Sequence, residues 1–301
     1  MSQVREVKVR FFPPPEDMCR FFTTFYLVEI ATAADLQVSD YLHPEWANLR
    51  FHTGELCAET CDGVVVTSAA FAATGPSSRA VRFSVGPIRI WGIGLLPLGW
   101  AKYIGAPAVT LANVVTDGFV HPAFAGFGSL ARTLFGPEPD CEAELARIVD
   151  HFTALGGCKI DDEARIVAVH DALIDPDVHS VTGLVERSGC SQRTMERVCQ
   201  RAFGFSPKLL LRRQRFMRSL AQFMLDPSLR WIGAIDSHYH DQAQFVRDFR
   251  EFMGMTPRQY AALDKPILKA IMHERARFAG TPVQTLDRPS GAGSGRRPPI
   301  A

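Results

Sequence analysis

The chain has 301 residues, 47% of them hydrophobic, and its 33 Lys and Arg nearly balance 32 Asp and Glu for a net charge of +1. That length accommodates about two domains, and the composition excludes a collagenous or wholly disordered chain. The longest apolar run, residues 90–101, is broken by three glycines and Pro97, far short of a membrane span.

The near-zero net charge hides a division along the chain. Residues 1–177 hold 13 Lys and Arg against 22 Asp and Glu, residues 178–262 hold 13 against 7, and residues 263–301 hold 7 against 3. The basic charge is concentrated in the second part, where a footprint for phosphate would lie, and the acidic first part is unsuited to nucleic acid. Seven cysteines, an odd number, and an opening MSQVREVKVR without an apolar signal core lead to the expectation of a reduced, cytoplasmic protein.

Residues 1–137 read as a β-rich sensor or dimerisation domain. The runs 21–30, 63–71 and 81–96 are rich in Val, Ile, Phe and Tyr and are parted by turn clusters such as Gly75-Pro76-Ser77-Ser78 and Gly86-Pro87. Val81, Phe83 and Val85 alternate with Arg82 and Ser84, as on a strand with one wet face. Short helices are expected over 98–104 and 125–134. Past Gly136-Pro137-Glu138-Pro139 the period becomes helical, with Leu145, Ile148, Val149 and Phe152 on one stripe and Ile166, Val167, His170 and Leu173 on another. Residues 138–177 are therefore a helical connector, which either makes a dimer contact or packs as a hairpin on its own barrel.

Within residues 178–262 one stretch organises the reading. Residues 191–207, SQRTMERVCQRAFGFSP, offer Ser191 as N-cap and close on Gly204 and Pro207. Met195, Val198, Cys199 and Ala202 form one apolar stripe, while Arg193, Arg197 and Gln200, with Glu196, lie on the other side. Such a helix suits base edges in a major groove, and it equally suits water. Residues 241–257, DQAQFVRDFREFMGMTP, repeat the pattern without a gap: Asp241 answers Ser191, Phe245 Met195, Arg247 Arg197, Gly254 Gly204 and Pro257 Pro207. Each copy comes after a short apolar segment, 181–186 or 231–235, so the chain carries two helix-turn-helix units in tandem.

On these residues the chain resembles the AraC/XylS-type transcription regulators. The matching positions are Ser191, Arg193, Met195, Arg197, Gly204, Ser206 and Pro207 in the first unit and Arg213 and Arg215 in the joining helix. In the second unit they are Asp241, Gln242, Phe245, Arg247, Phe249, Gly254, Pro257 and Tyr260. The resemblance implies an α+β chain: an N-terminal β-rich domain of the cupin-like barrel type and a C-terminal all-α domain with two helix-turn-helix units. It also implies a sequence-specific, effector-responsive regulator, such as an activator, reading two successive major grooves about 34 Å apart. Its partners would be double-stranded DNA, a small-molecule effector in the N-terminal domain, RNA polymerase and a second copy in a homodimer.

By match to the family's positions, base reading falls to Gln192, Arg193, Glu196 and Arg197 in the first unit and to Gln242, Ala243 and Arg247 in the second. Phosphate contacts fall to Lys208, Arg212 and Arg218 and to the helix N-termini at Ser191 and Asp241, which fix the domain without reading sequence. Arg213 and Arg215 are expected in internal salt bridges. The second reading face is less polar, with Ala243 and Val246, so the first helix should carry more of the specificity. His238-Tyr239-His240 stands where the family has a turn glycine, and a histidine in the left-handed region would let that turn survive.

Other chemistry finds little support. His43, Glu45 and His52 do not have the spacing of a cupin metal site, and Cys57-x3-Cys61 has no second pair at zinc-finger distance. Neither a nucleotide-binding glycine loop nor a nucleophile elbow is present. No metal, cofactor or catalytic set is therefore assigned. The alternative reading is a small-molecule-binding or enzymatic β-barrel protein with an accessory DNA-binding domain; a third is a regulator whose N-terminal half only dimerises. Residues 263–301 read as a helix remnant and then, from Ala279, a disordered tail rich in Gly, Pro, Ser and Arg, with Arg296 and Arg297 in solvent.

Overall fold

The computed structural model describes residues 4–33, 36–226 and 231–289. Its strands are β1 (Val4–Phe12), β2 (Phe22–Thr32), β3 (Val38–Leu42), β4 (Ala47–His52), β5 (Leu56–Thr60), β6 (Val65–Ser68), β7 (Phe71–Thr74), β8 (Val81–Val85), β9 (Ile88–Leu95) and β10 (Val115–Asp117). Every residue of β9 is buried, which requires cover on both faces of the sheet. The order β1-β2-β9-β4-β7-β10 places that strand inside a six-stranded sheet, and β3-β8-β5-β6 forms a second. All pairings are antiparallel.

The period of two sorts the side chains. Val28, Ile30, Ile88 and Ile90 of the large sheet meet Val38, Leu56, Ala58, Phe83 and Val85 of the small one in a core between the sheets. Their neighbours Phe25, Leu27, Trp91 and Ile93 face the other way, onto Phe127, Ile148 and Phe152. The latter residues come from a 3-10 turn, Pro122–Phe127, and from α3 (Cys141–Leu155), with α2 (Gly128–Thr133) between them. Close packing requires glycine at Gly92, where a Cβ would lie 1.9 Å from the Tyr26 ring. The β-rich half is thus a two-sheet barrel, as the resemblance implies. β1 lies in the charged opening of the chain, outside the runs that read as strands, although Val7, Val9 and Phe11 alternate there with Glu6, Lys8 and Arg10.

The remaining helices are α1 (Pro97–Gly99), which runs on as a π-helical turn Trp100–Ile104, α4 (Glu163–Ile174), α5 (Val181–Ser188), α6 (Gln192–Val198), α7 (Pro207–Leu225), α8 (Trp231–Ala234), α9 (Gln242–Met253), α10 (Pro257–Ala262) and α11 (Pro266–Ala279). The two helices of the connector part company: α3 covers the large sheet, whereas α4 gives Ile166, Val169 and Leu173 to a core built with α6 and α7. That core also takes Trp46, Leu96 and Leu98 from the β-rich half.

The C-terminal segment departs from expectation. Residues 280–289 do not trail away: Val283 and Thr285 are buried, Arg275 pairs with Asp287 at 2.5 Å, and Gln284 Nε2 donates to Glu45 at 2.8 Å. A Gly- and Pro-rich composition hid three anchors at fixed points. Residues 290–301, with Arg296 and Arg297, lie outside the described residues.

Candidate nucleic-acid interface

Each helix-turn-helix unit is set by local chemistry at its ends. The first turn uses Gly189 in the left-handed region, φ 66°, after which Ser191 caps α6 by accepting from the Thr194 amide at 3.3 Å. The helix continues as a π-helical turn, Cys199–Phe203, and stops at Gly204, φ 84°. Ser206 then caps α7, with Pro207 in its first turn. The second unit uses the same devices: Asp241 accepts from Gln244 N at 2.6 Å, Gly254 closes α9 at φ 71°, and Thr256 and Gln259 form a capping box ahead of α10.

The turn before Asp241 is built differently from expectation. Asn113 is the one non-glycine residue with positive φ among the described residues, so no histidine in 238–240 is left-handed. Asp236 makes the turn instead. It accepts from the His238 amide at 2.9 Å and from Arg218 at 2.6 Å, and its own amide donates to Ser219 Oγ at 2.9 Å. An Asx-type turn needs no left-handed residue.

The backs of both reading helices are buried: Met195, Val198, Cys199 and Ala202 in the first, Phe245, Phe249, Phe252 and Met253 in the second. Gln192, Arg193, Glu196 and Arg197 are exposed on the opposite side of α6, and Gln242, Ala243 and Arg247 are exposed on α9. Gln192 Nε2 reaches Glu196 at 3.2 Å along the helix. Arg193 and Arg247 have no hydrogen bond or ion pair among the described residues. Arg197 does: its guanidinium binds Asp162 through two contacts of 2.6 and 3.2 Å. Asp162 begins α4 without capping it, because its carboxylate is occupied by Arg197 and by Arg165 at 2.7 Å. Those hydrogen bonds, Arg197 first, hold its carboxyl down at about 2.

Of the residues expected at phosphate, Lys208 is exposed, and Ser191 and Asp241 sit at exposed helix starts. Arg212 and Arg218 are engaged inside the protein. Arg212 reaches Asp248 at 2.6 Å and Glu251 at 2.5 Å, and Arg218 reaches Asp236. The reason is Asp248, nearly wholly buried on α9, which also accepts from Arg215 at 3.2 Å and Tyr239 Oη at 3.1 Å. A buried carboxylate needs such partners, and this one clamps the second unit to α7. Sequence reasoning missed Asp248, although its place between Phe245 and Phe252 on an apolar helix stripe was the signal.

Arg215 is in the internal pair expected of it, but Arg213 is not. Wholly buried, it donates to the Ser77 carbonyl at 3.0 Å and lies over the Trp46 ring at 4.0 Å, with no carboxylate among its described partners. Burial lowers its pKa to about 9. His43, Glu45 and His52 have structural partners: Tyr260 Oη at 2.7 Å, Arg50 at 2.8 Å and Ser68 Oγ at 2.9 Å respectively.

Residues 184–262, which hold both reading helices, match the helix-turn-helix domain family. The chain carries an AraC-type DNA-binding domain. DNA binding and transcription regulation are the work of that domain. No curated protein matches the chain at a significant level. Among solved structures, ToxT from Vibrio cholerae is 8% identical over 85% of this chain and 97% of its own, with a TM-score of 0.41. ToxT from Vibrio cholerae O395 bound to (E)-4-(8-methylnaphthalen-1-yl)but-3-enoic acid is 9% identical over 85% and 97%, at 0.40. The AraC-like transcriptional activator CuxR is 15% identical over 72% and 87%, at 0.28. Overlaps at these scores carry no argument about ligand or partner. No helix among the described residues is long and apolar enough to cross a membrane.

Proposed function

We propose that the AraC-type domain reads two successive major grooves, with Gln192, Arg193, Glu196 and Arg197 at one and Gln242, Ala243 and Arg247 at the other. The carrying observation is that these seven side chains are exposed on two helices whose caps, closing glycines and buried backs correspond. An arginine bound to guanine through two hydrogen bonds discriminates by about 1–3 kcal/mol. Lys208 and the amides beyond Ser191 and Asp241 are left to hold phosphate. The protein works in the cytoplasm, and a homodimer would extend the reading to a repeated operator, with RNA polymerase as the further contact of an activator.

Selection from a random DNA pool gives the operator. Arg193→Ala should then weaken operator binding about 5- to 150-fold, while leaving binding to random DNA within about threefold. Equal loss on both would remove the base-reading assignment, and a pool without a preferred sequence at about 0.15 M salt would remove the sequence-specific reading.

A second reading concerns an effector. The space between the two sheets is walled by Val28, Leu56, Ala58, Phe83 and Ile90 and ends on Arg50, Tyr26 and Thr74. An apolar chamber with a few convergent polar groups is the usual form of a small-molecule site, and we assign the effector there.

A further inference from the structure

The chamber between the sheets is already filled by the protein's own C-terminal helix. The two sheets come together at one side, where β6 lies against β10, and diverge at the other, where β1 and β3 are both edge strands. α11 occupies that open side and packs on both edges. Ile267 is wholly buried among the residues of both sheets, Ile271 lines the same chamber, and Phe278 stacks on Phe11 of β1 at 5.9 Å. With these side chains in place about 40 Å³ remains, on the order of one water's share of liquid volume, whereas a small-molecule site holds about 300 Å³ or more.

The helix is held at its start and by the chain on either side of it. Asp40, a buried residue of β3, accepts from the amides of Ile267 and Leu268, both at 2.9 Å, at the positive end of the helix. Beyond α11, Gln284 donates to the carboxylate of Glu45, which in turn binds Arg50 at the polar end of the chamber. Just before it, Tyr260 of α10 meets His43 of the β-rich half at 2.7 Å. The second helix-turn-helix unit and the plug of the barrel are therefore separated by only the short segment 263–265.

We propose that α11 is a built-in occupant of the barrel, and that an apolar molecule entering the chamber acts by expelling it. This rests on the effector reading above. An entering molecule takes the volume of Ile267 and Ile271, and any polar end that engages Arg50 competes with Glu45 and loosens Gln284. Expulsion cuts the ties at Asp40 and Glu45 that hold the chain following the second DNA-reading unit, so that occupancy of the chamber loosens the C-terminal side of that unit, while the Ala80 amide on the Phe252 carbonyl at 2.7 Å still holds α9.

The test uses the full chain and N-phenyl-1-naphthylamine, an uncharged apolar fluorophore, with hydrogen exchange measured along the backbone. The expected result is that the bound probe speeds exchange over residues 266–279 at least tenfold while slowing it in β8 and β9. Ile271→Ala should bind the probe about tenfold more tightly than the native chain, and Asp40→Asn, which takes the negative charge from the helix anchor without opening a cavity, about threefold more tightly. Should Ile271→Ala not fold, Asp40→Asn and the native exchange profile decide the matter. Probe bound with protection in β8 and β9 but unchanged exchange in α11 overturns the expulsion and leaves the effector site standing. No binding to the native chain or either variant overturns both.

Discussion

On the proposed base-reading role of Arg197, its contact with Asp162 competes with DNA. An arginine that is to bind guanine must first leave the carboxylate it holds through contacts of 2.6 and 3.2 Å. Arg197 is about half exposed and Asp162 is not, with side-chain values of 48% and 14%. For a pair at the surface the net worth is about 0.2–1 kcal/mol, with bidentate geometry at the upper end. Asp162→Asn should therefore tighten operator binding about 1.4- to 5-fold. The depressed carboxyl contributes stability above the ordinary aspartate value and loses it only as pH falls toward about 2. The gain from Asp162→Asn should accordingly be constant between pH 5 and 8. Fluorescence anisotropy with the selected operator, run as a double-mutant cycle with Arg197→Ala, measures it. If Asp162→Asn gives the same gain when Arg197 is already alanine, the effect is long-range charge and the competition argument is refuted.

Two buried carboxylates set further outcomes. Asp248→Ala leaves Arg212, Arg215 and the Tyr239 hydroxyl without their shared acceptor, so urea unfolding should show a loss of about 3–5 kcal/mol; a loss below about 1 kcal/mol would mean that Asp248 is no clamp. Burial raises the Asp40 carboxyl to about 6, so the folded state holds this proton more tightly than the unfolded state does. The contribution of Asp40 to stability should then be greatest below about pH 4 and fall by up to about 3 kcal/mol as pH rises to about 6; in Asp40→Asn that part of the pH dependence of the urea midpoint should vanish.

What was legible in the sequence was whatever is decided within a turn or two of chain. Ser191, Asp241, Gly204 and Gly254 cap and close helices by local bonds, and the structure repeats them in both units. The alternation of Val81, Phe83 and Val85 was equally plain and lies in β8. Partners brought together by folding were not legible. Arg197 meets Asp162 across 35 positions and Arg212 meets Asp248 across 36, and nothing in a basic helix says which arginines a distant acid will claim. The tail misled for a related reason: its composition is that of a disordered segment, but the side chains of Val283 and Gln284 and the Thr285 backbone each have one place to go.

Trp46 has a consequence for how such proteins are taken apart. Its ring is shared by Phe203 at 5.6 Å, His170 at 5.4 Å and the Arg213 guanidinium, so the first DNA-reading unit borrows part of its interior from the β-rich half. A fragment cut at residue 178, or a chimaera grafting this reader onto another N-terminal half, would inherit half a core and a buried cation without the Trp46 ring it lies on.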